Sequence, residues 1–284
     1  MAEIAVLGTV AADIVLRVAS LPLPGDHVRA EPLGWRLGGS SANVAVALAA
    51  AGHEVELIGV IGTDSLADAL LSELQQYGVS TTRCVRVEGR SPRALILLDA
   101  AGERTILGLD AGSVTDALPM AGPPNVGSAA CIYVESYRRY PTSIAGGPAG
   151  GLLVVATPPP SDAEHWPADI IVGSERQFPP DWTEDPLGRG RAIAGSRLTA
   201  VVVTRGADGA DAFTDDGRIH TPARPARQVD ATGAGDAFAA GLIATLLAGG
   251  SLEAAMEVAA EDGAAAVEVL RSVPPEWIDG ARME

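Results

Sequence analysis

The segment Asp230–Asp236 places an acid, a hydroxyl group and a glycine-rich turn directly before an apolar run that is typical of a helix. Gly233 and Gly235 flank Ala234 and let a ligand approach the backbone without a side chain in the way. The first N–H groups of a helix have no intrahelical acceptor, so they bind anions such as phosphate. Asp236 would lie in this first turn and accept a proton from an attacking hydroxyl group. A ligand-free glycine turn explains the segment equally well.

The surrounding chain alternates between strand-like and helix-like patterns. Short apolar runs predict strands at residues 3–8, 13–18, 54–62, 131–135, 152–157, 169–173 and 198–204. Helices are predicted after Gly39 with a serine cap, after Asp64 as a cap, and over residues 235–247 and 251–270. The glycine- and proline-rich stretches 141–151 and 179–190 are predicted to be mostly loops. This alternation predicts an α/β fold with a mostly parallel sheet covered on both faces.

A hairpin pattern at residues 94–109 does not fit this alternation, because two β-type runs enclose a short Asp-Ala-Ala-Gly turn. We expect it to pair with early strands near residues 13–18 and 27–36 in a small separate sheet. The prediction is a single domain over residues 1–284, with a discontinuous β lid formed by about residues 11–37 and 84–109. The active site is expected between this lid and the large sheet.

Composition excludes several classes of function. The chain has 284 residues, 47% of them hydrophobic, and a formal net charge of -16. This charge argues against binding nucleic acid and against an anionic membrane as partner. Cys84 and Cys131 form neither a disulfide framework nor a metal-binding spacing. The N-terminus lacks a secretion signal pattern and no apolar run is long enough to span a bilayer, so we expect a cytoplasmic protein.

Five stretches of the chain form a characteristic set: GGSSANVAVALAAAG from Gly38, GVIGTD from Gly59, DATGAGDAF from Asp230, the opening LGTVAADIVLRVASLPLPGD, and VVVTRGADGA from Val201. In this order and at these separations, they resemble the ribokinase-like (PfkB) family of carbohydrate kinases. The resemblance runs from about residue 4 to residue 260. It implies a three-layer α/β/α sandwich with a small β-sheet lid. It also implies an ATP-dependent kinase that transfers the γ-phosphoryl group to a hydroxymethyl group of a sugar or related small molecule.

The resemblance also implies roles for individual residues. Asp236 matches the catalytic base, and Gly233, Ala234 and Gly235 match the anion hole. The substrate-binding positions are Asp13, Gly39, Ser40, Asn43 and Glu135, and the nucleotide-binding positions are Ser174, Thr204, Gly206 and Gly209. Asp230 and Thr232 match positions that help to hold a monovalent cation. Strand-end acids, helix caps and β-turns are the ordinary structural explanations for the same residues.

The chain departs from the family pattern at three places. Ribokinase itself has a lysine where Ser40 stands, which weakens the case for ribose as substrate. Ser174 and Gln177 replace an Asn-x-x-Glu pair near the phosphates, so we expect a weakened magnesium site that depends mainly on the nucleotide and water. Arg271 is not followed by the usual Gly-Ala, which leaves the potassium site and the donor preference open.

The expected cofactors are therefore ATP and Mg²⁺, with K⁺ as a further possibility, and the expected partner is a sugar or nucleoside. A homodimer through the lid is a further expectation. Two alternatives stay open: a nucleoside kinase on the same fold, and a sugar-binding pseudokinase. If the acceptor already carries a phosphate, the candidate positive cluster is Arg90, Arg93, Arg138 and Arg139.

Overall fold

The computed structural model describes residues 1–109, 111–112, 114, 126–135 and 151–270. In chain order its strands are β1 (Glu3–Thr9), β2 (Ala11–Arg17), β3 (Glu31–Gly38), β4 (Glu54–Ile61), β5 (Val79–Arg86), β6 (Arg93–Leu98), β7 (Arg104–Leu109), β8 (Cys131–Val134), β9 (Leu153–Ala156), β10 (Ile170–Ser174), β11 (Ala200–Thr204), β12 (Ala210–Thr214) and β13 (Gly217–Thr221). The helices are α1 (Ser40–Ala50), α2 (Ser65–Gln76), α3 (Pro186–Ala194), α4 (Ala234–Leu247) and α5 (Leu252–Val267). Residues 136–150 and 271–284, which include Arg138, Arg139, Arg271 and most of the predicted loop 141–151, lie outside the described residues.

The described strands form a large sheet and a small one. The large sheet has the order β13-β12-β11-β10-β9-β8-β1-β4-β5, with parallel pairing from β11 to β5 and an antiparallel β12–β13 edge. Alternate residues of β1 enter different cores: Ile4 and Val6 pack with α1, α2, α4 and α5, whereas Ala5 and Leu7 pack with α3, Trp166 and Trp182. The sheet is therefore covered on both faces, and the predicted three-layer α/β class is confirmed.

Two local predictions were wrong. The helix α3 begins inside the predicted loop 179–190 and takes up its last five residues; Asp185 caps it by accepting from the Gly188 N–H at 3.0 Å, and Pro186 opens the first turn. The serine cap of α1 is also absent, because the N-cap is Gly39 and no side chain caps this helix. By contrast, Asp64 caps α2 as expected, through the Ala67 N–H.

The small sheet has the order β3-β2-β6-β7, and its strands β6 and β7 form the hairpin predicted at residues 94–109. Its strands β2 and β6 are parallel, and β3 and β7 run antiparallel to their neighbours. Residues 84–86 do not join it, since they continue β5 and pair with β4 of the large sheet. None of the described helices has the length and apolar character needed to cross a membrane.

Candidate active site

The N-termini of α1 and α4 meet in front of the large sheet, and their side chains are hydrogen-bonded to each other. The Ser40 hydroxyl donates to Asp236 Oδ1 at 2.7 Å, and the Asn43 amide donates to Asp236 Oδ2 at 2.7 Å. The Tyr133 hydroxyl, from the end of β8, lies 3.3 Å from Ser40 Oγ. Three residues that the sequence assigned to one site are thus brought together by helix packing.

Asp236 is partly buried, and its electrostatics follow from this position. Burial raises the pKa of its carboxyl group, whereas the hydrogen bonds from Ser40 and Asn43 and the charge of Arg104 lower the pKa. Two donors therefore hold the carboxylate in one orientation, while the weak solvation of its charge favours taking up a proton. This is the electrostatic setting of a general base.

The glycine turn presents its backbone to the open side of the site. Gly233 caps α4 with a φ of 84°, a left-handed conformation that favours glycine. Ala234 and Gly235 are the first residues of α4, so their N–H groups have no intrahelical acceptor. Gly235 is exposed, and a Cβ atom added there would meet nothing within 4 Å. The turn can therefore accept an anion immediately in front of Asp236.

Asp13 lies on β2 with a relative exposure of only 5%. Burial raises its pKa to about 6, against the opposing charge of Arg36 and with the repulsion of Asp236 and Asp230. Gly38, which ends β3, leaves the room for this carboxyl group: a Cβ atom there would lie 2.2 Å from Asp13 Oδ1. A side chain at position 38 would collide with the Asp13 carboxyl group, so this position requires glycine.

Glu135, at the end of β8, is engaged with the protein itself. Its Oε2 accepts hydrogen bonds from the Thr9 N–H at 2.8 Å, the Ser41 N–H at 3.2 Å and the Ser41 hydroxyl at 2.8 Å. Burial raises the pKa of Glu135, while these donors lower it. Gly39 has a φ of 90°, and a Cβ atom there would lie 2.5 Å from the Thr9 carbonyl oxygen. Glu135 and Gly39 therefore fix how α1 starts beside β1.

Asp230 and Thr232 lie in the loop before α4, where a monovalent cation was expected. The Asp230 side chain is fully buried at 0% exposure, and its Oδ2 accepts from Arg36 Nη1 at 2.7 Å. Its Oδ1 accepts from the Thr232 N–H at 2.8 Å. Both carboxylate oxygens are thus bonded, and a cation here would lie beside a guanidinium. Thr232 Oγ1 is buried and has no hydrogen-bond partner within the described residues, so the poor fit for a monovalent cation lies at the Asp230 carboxylate, which Arg36 already neutralises.

The expected nucleotide-binding residues lie at neighbouring strand ends. Thr204 ends β11, and its hydroxyl donates to the Gly173 carbonyl oxygen at 3.4 Å. Gly206 and Gly209 form the turn into β12 with φ values of 59° and 81°. A Cβ atom on Gly209 would lie 2.2 Å from the Thr221 carbonyl oxygen, so that glycine has a packing explanation, whereas Gly206 has open space around it.

Ser174 and Gln177 bond to each other at the end of β10. Gln177 Oε1 accepts from the Ser174 N–H at 2.8 Å and from its hydroxyl at 3.1 Å, which closes a short turn. The nearby Glu175 pairs with Arg205 at 2.9 Å. No group of three or more His, Cys, Asp or Glu side chains suited to a metal occurs among the described residues. These residues thus form no dedicated magnesium cage, but they fit an ion that arrives with nucleotide phosphates and keeps its waters.

The sequence missed the supporting residues Arg36, Ser41, Tyr133 and Arg104. Ser41 adjoins the predicted Ser40, so its position was a usable signal. The others lie on strands β3, β7 and β8, and their relation to Asp230 or Asp236 depends on how the small sheet and the helices pack. No spacing along the chain shows such contacts.

The chain is similar to known proteins over most of its length. Residues 1–136 and 171–277 match the family model described as pfkB family carbohydrate kinase. An ATP-dependent ribose-1-phosphate kinase from Halopiger xanaduensis is 31% identical over 290 residues, covering 96% of this chain and 95% of the relative. A deoxyribokinase from Salmonella typhi is 27% identical over 279 residues, covering 90% of each.

The fold is also found in solved structures. The ribokinase from Cryptococcus neoformans var. grubii serotype A, in complex with ADP, superposes with a TM-score of 0.77 at 23% identity, covering 96% of this chain and 97% of that one. An identity of 23% shows only that the two proteins share a fold. Membership of the family rests on the family model, which matches most of the chain's length. The chain belongs to the pfkB family of carbohydrate kinases, phosphotransferases that act on an alcohol group.

Proposed function

We propose that this protein transfers the γ-phosphoryl group of ATP to a hydroxymethyl group of a sugar or sugar-containing small molecule. The observation that supports this most strongly is the Asp236 carboxylate, held at 2.7 Å by Ser40 and by Asn43 beside the glycine turn of α4. A base and an anion-binding turn on adjacent residues are what in-line transfer to an alcohol needs. The intact pair favours a kinase over a sugar-binding pseudokinase.

In this proposal Asp236 takes the proton of the acceptor hydroxyl as its oxygen attacks phosphorus. The N–H groups of Gly233, Ala234 and Gly235 bind the charge on the transferring phosphoryl group. Magnesium, when bound with the nucleotide, would neutralise phosphate charge, held mostly by phosphate and water since Ser174 and Gln177 are neutral. The nucleotide would extend past Ser174 toward Thr204, Gly206 and Gly209 at the ends of β10 and β11. ATP as donor makes the cytoplasm the proposed location.

The acceptor would lie between the small sheet, acting as a lid, and the helix N-termini. Asp13 is the proposed partner of its hydroxyl groups, with Gly39 and Ser40 lining the approach. The Asn43 amide nitrogen donates one of its two N–H groups to Asp236, so its second N–H group and its carbonyl oxygen remain for the acceptor. Glu135 has one oxygen engaged and offers the other, Oε1, so its contact with sugar remains part of the proposal. A lid of this kind would exclude water and limit hydrolysis of ATP.

Relatives named for ribose-1-phosphate and deoxyribose suggest a five-carbon acceptor, with or without a phosphate. A cavity of about 510 Å³ is lined by Asp64, Arg90, Ser91, Arg93 and Leu109. Arg93 pairs with Ala12 of β2, whereas Asp13 is the next residue and points to the other face. Arg93 also bonds to Asp64 at 2.8 Å. Arg93 therefore lies on the face away from Asp13, which argues against it as part of the acceptor-phosphate site.

The same outward face supports the proposed homodimer. Trp35, Ile14, Leu95 and Leu107 lie side by side across β3, β2, β6 and β7. Trp35 is 49% exposed and Leu107 is 44% exposed. A continuous apolar row across a small sheet favours association, and a second copy of the chain is the occupant that we propose.

The deciding experiment measures ADP release with a panel of pentoses, pentose 1-phosphates, hexoses and nucleosides. Wild type is compared with Asp236→Asn, which keeps the side-chain shape and removes the base. We expect turnover with at least one acceptor and its loss in the variant. Preference for nucleosides would favour the nucleoside-kinase alternative. Equal rates in both proteins on every compound would refute the kinase proposal, and stabilisation by sugar without turnover would favour the pseudokinase.

A further inference from the structure

We propose that the guanidinium group of Arg36 takes the place of a monovalent cation beside Asp230, so that this kinase works without potassium. The inference rests on the proposed function, because it concerns the loop that leads into the glycine turn. It starts from the disagreement between the expected cation site and the ion pair that is present there.

Arg36 and Asp230 form a pair of opposite charges that is almost completely buried. The Asp230 side chain is fully buried, and the Arg36 side chain, 13% exposed, bonds to it at 2.7 Å. A buried carboxylate needs a compensating positive charge, and arginine carries one at every physiological pH. A potassium ion at the same oxygens would be repelled by the guanidinium. The compensation that a cation would supply is therefore already present.

The Arg36 guanidinium group donates a hydrogen bond to one carboxylate, that of Asp230. Arg36 Nε and Nη2 are buried and have no hydrogen-bond partner within the described part of the chain. Its charge reaches Asp13 only through space, because the structure gives no hydrogen bond between these neighbours on the small sheet. The charge of Arg36 is thus not shared with a second carboxylate through a hydrogen bond.

Hydrogen bonds hold the backbone that leads into the glycine turn, and the Asp230 carboxylate accepts one of them. The Val229 and Asp230 N–H groups donate to the Val267 carbonyl oxygen at 2.7 and 3.1 Å, and the Ala231 N–H donates to Gly102 at 3.2 Å. Asp230 Oδ1 accepts from the Thr232 N–H. Neutralising Asp230 therefore stabilises the loop whose next residue is Gly233. Arg36 acts as a positioning residue, through Asp230 and Thr232.

Unlike a bound ion, the positive charge beside Asp230 is covalently attached to the small sheet, through Arg36. Arg36 belongs to β3 of the small sheet, and Gly102 lies in the turn between β6 and β7 of the same sheet. Asp230 belongs to the loop before α4. The Arg36 guanidinium group can therefore neutralise Asp230 only while the small sheet lies against the loop before α4. The order of the glycine turn thus depends on this position of the small sheet.

The test compares initial rates in potassium, sodium and choline chloride at equal ionic strength. Wild type is expected to vary less than about twofold among the salts. Arg36→Met is expected to lose about 100-fold in choline, as for other losses of electrostatic preorganisation, and to recover at least about tenfold in potassium. Arg36→Lys, which keeps the charge, should stay independent of potassium. Arg17→Met removes an exposed arginine from the same sheet and is the matched control.

Rubidium diffraction gives a readout that does not depend on activity. Crystals in rubidium chloride should show no anomalous peak beside Asp230 in wild type and a peak there in Arg36→Met. Rubidium beside Asp230 in wild type, or potassium activation of wild type by about tenfold or more, would overturn the proposal. So would the absence of both rubidium and potassium rescue in a folded Arg36→Met. If wild type phosphorylates no acceptor, the kinase proposal fails while the diffraction experiment still decides this one.

Discussion

Ser40 and Asp236 are 196 residues apart in the chain, and a 2.7 Å hydrogen bond joins their side chains across the N-terminal turns of α1 and α4. Both helices pack on the same face of the large sheet, so their first turns meet at the edge where the parallel strands end. Asn43 adds a second donor one turn further along α1. The orientation of the proposed base is therefore set by the packing of two helices.

Replacing Asp236 with Asn should lower kcat by about 100- to 10,000-fold, because the variant keeps the shape and loses proton transfer. Since burial raises the pKa of Asp236, the neutral variant should melt at the same temperature as the wild type or higher. The measurement is steady-state ADP release at saturating ATP and acceptor, with circular dichroism to verify folding. A variant with wild-type kcat would show that another group takes the proton.

Replacing Ser40 with Ala should move the acidic limb of the pH–rate profile to higher pH. The Ser40 hydroxyl donates to the ionised carboxylate and so lowers the pKa of Asp236. Without this donor the base is protonated at higher pH, and activity is lost first on the acidic side and is recovered as pH rises. The profile of kcat tests this, with Ser80→Ala on β5 as a distant hydroxyl control. An unshifted limb would contradict the assignment of the limb to Asp236.

Replacing Asp13 with Asn should stabilise the protein at neutral pH while weakening acceptor binding. Burial raises the pKa of Asp13 from 3.8 to about 6, so ionising this group costs the folded state on the order of 2–3 kcal/mol above pH 6. The folded state binds the proton more tightly than the unfolded state, so the wild type loses this stability as pH rises from about 4 to 6. Urea unfolding at several pH values should show the gain of the variant above this window and none below it. A constant difference across pH would contradict the raised pKa.

Replacing Gly38 with Ala should raise KM for the acceptor by about tenfold or more with little change in KM for ATP. The new methyl group would lie 2.2 Å from Asp13 Oδ1 and would displace that carboxyl group. Gly108→Ala on β7 is the matched control, because a Cβ atom there meets nothing within 4 Å. Equal effects of the two variants would mean that alanine acts on the small sheet in general and not on Asp13.

Replacing Trp35 with Glu should convert the proposed dimer to a monomer, since it places a charge at the β3 end of the apolar row formed with Ile14, Leu95 and Leu107, where the second copy would bury it. Light scattering after size-exclusion chromatography measures the mass directly. Because Trp35 is half exposed in one chain, the fold itself should survive. A wild type that is monomeric at all concentrations would contradict the proposed use of this face.

The fold was largely predictable because local patterns and packing agree. Apolar runs such as residues 131–135 and 198–204 predicted strands that are present, and Asp64 predicted the start of α2. The helix at 186–194 was missed because its glycine and arginine residues give a weak apolar pattern, although Asp185 and Pro186 were a start signal. The β12–β13 hairpin was also not predicted.

The sequence by itself determined the chemistry available at the site: a glycine turn followed by an acid at a helix start, and a second glycine pair before Ser40 and Asn43. Residue type and short spacing suffice for this, because a helix N-terminus and its first turn are local structures. Only the tertiary structure decided which groups meet. Ser40 bonds to Asp236 instead of capping its own helix, and Arg36 neutralises Asp230 from another sheet. Such pairs form between residues far apart in the chain, where hydrogen bonding and charge compensation depend on how sheets and helices pack.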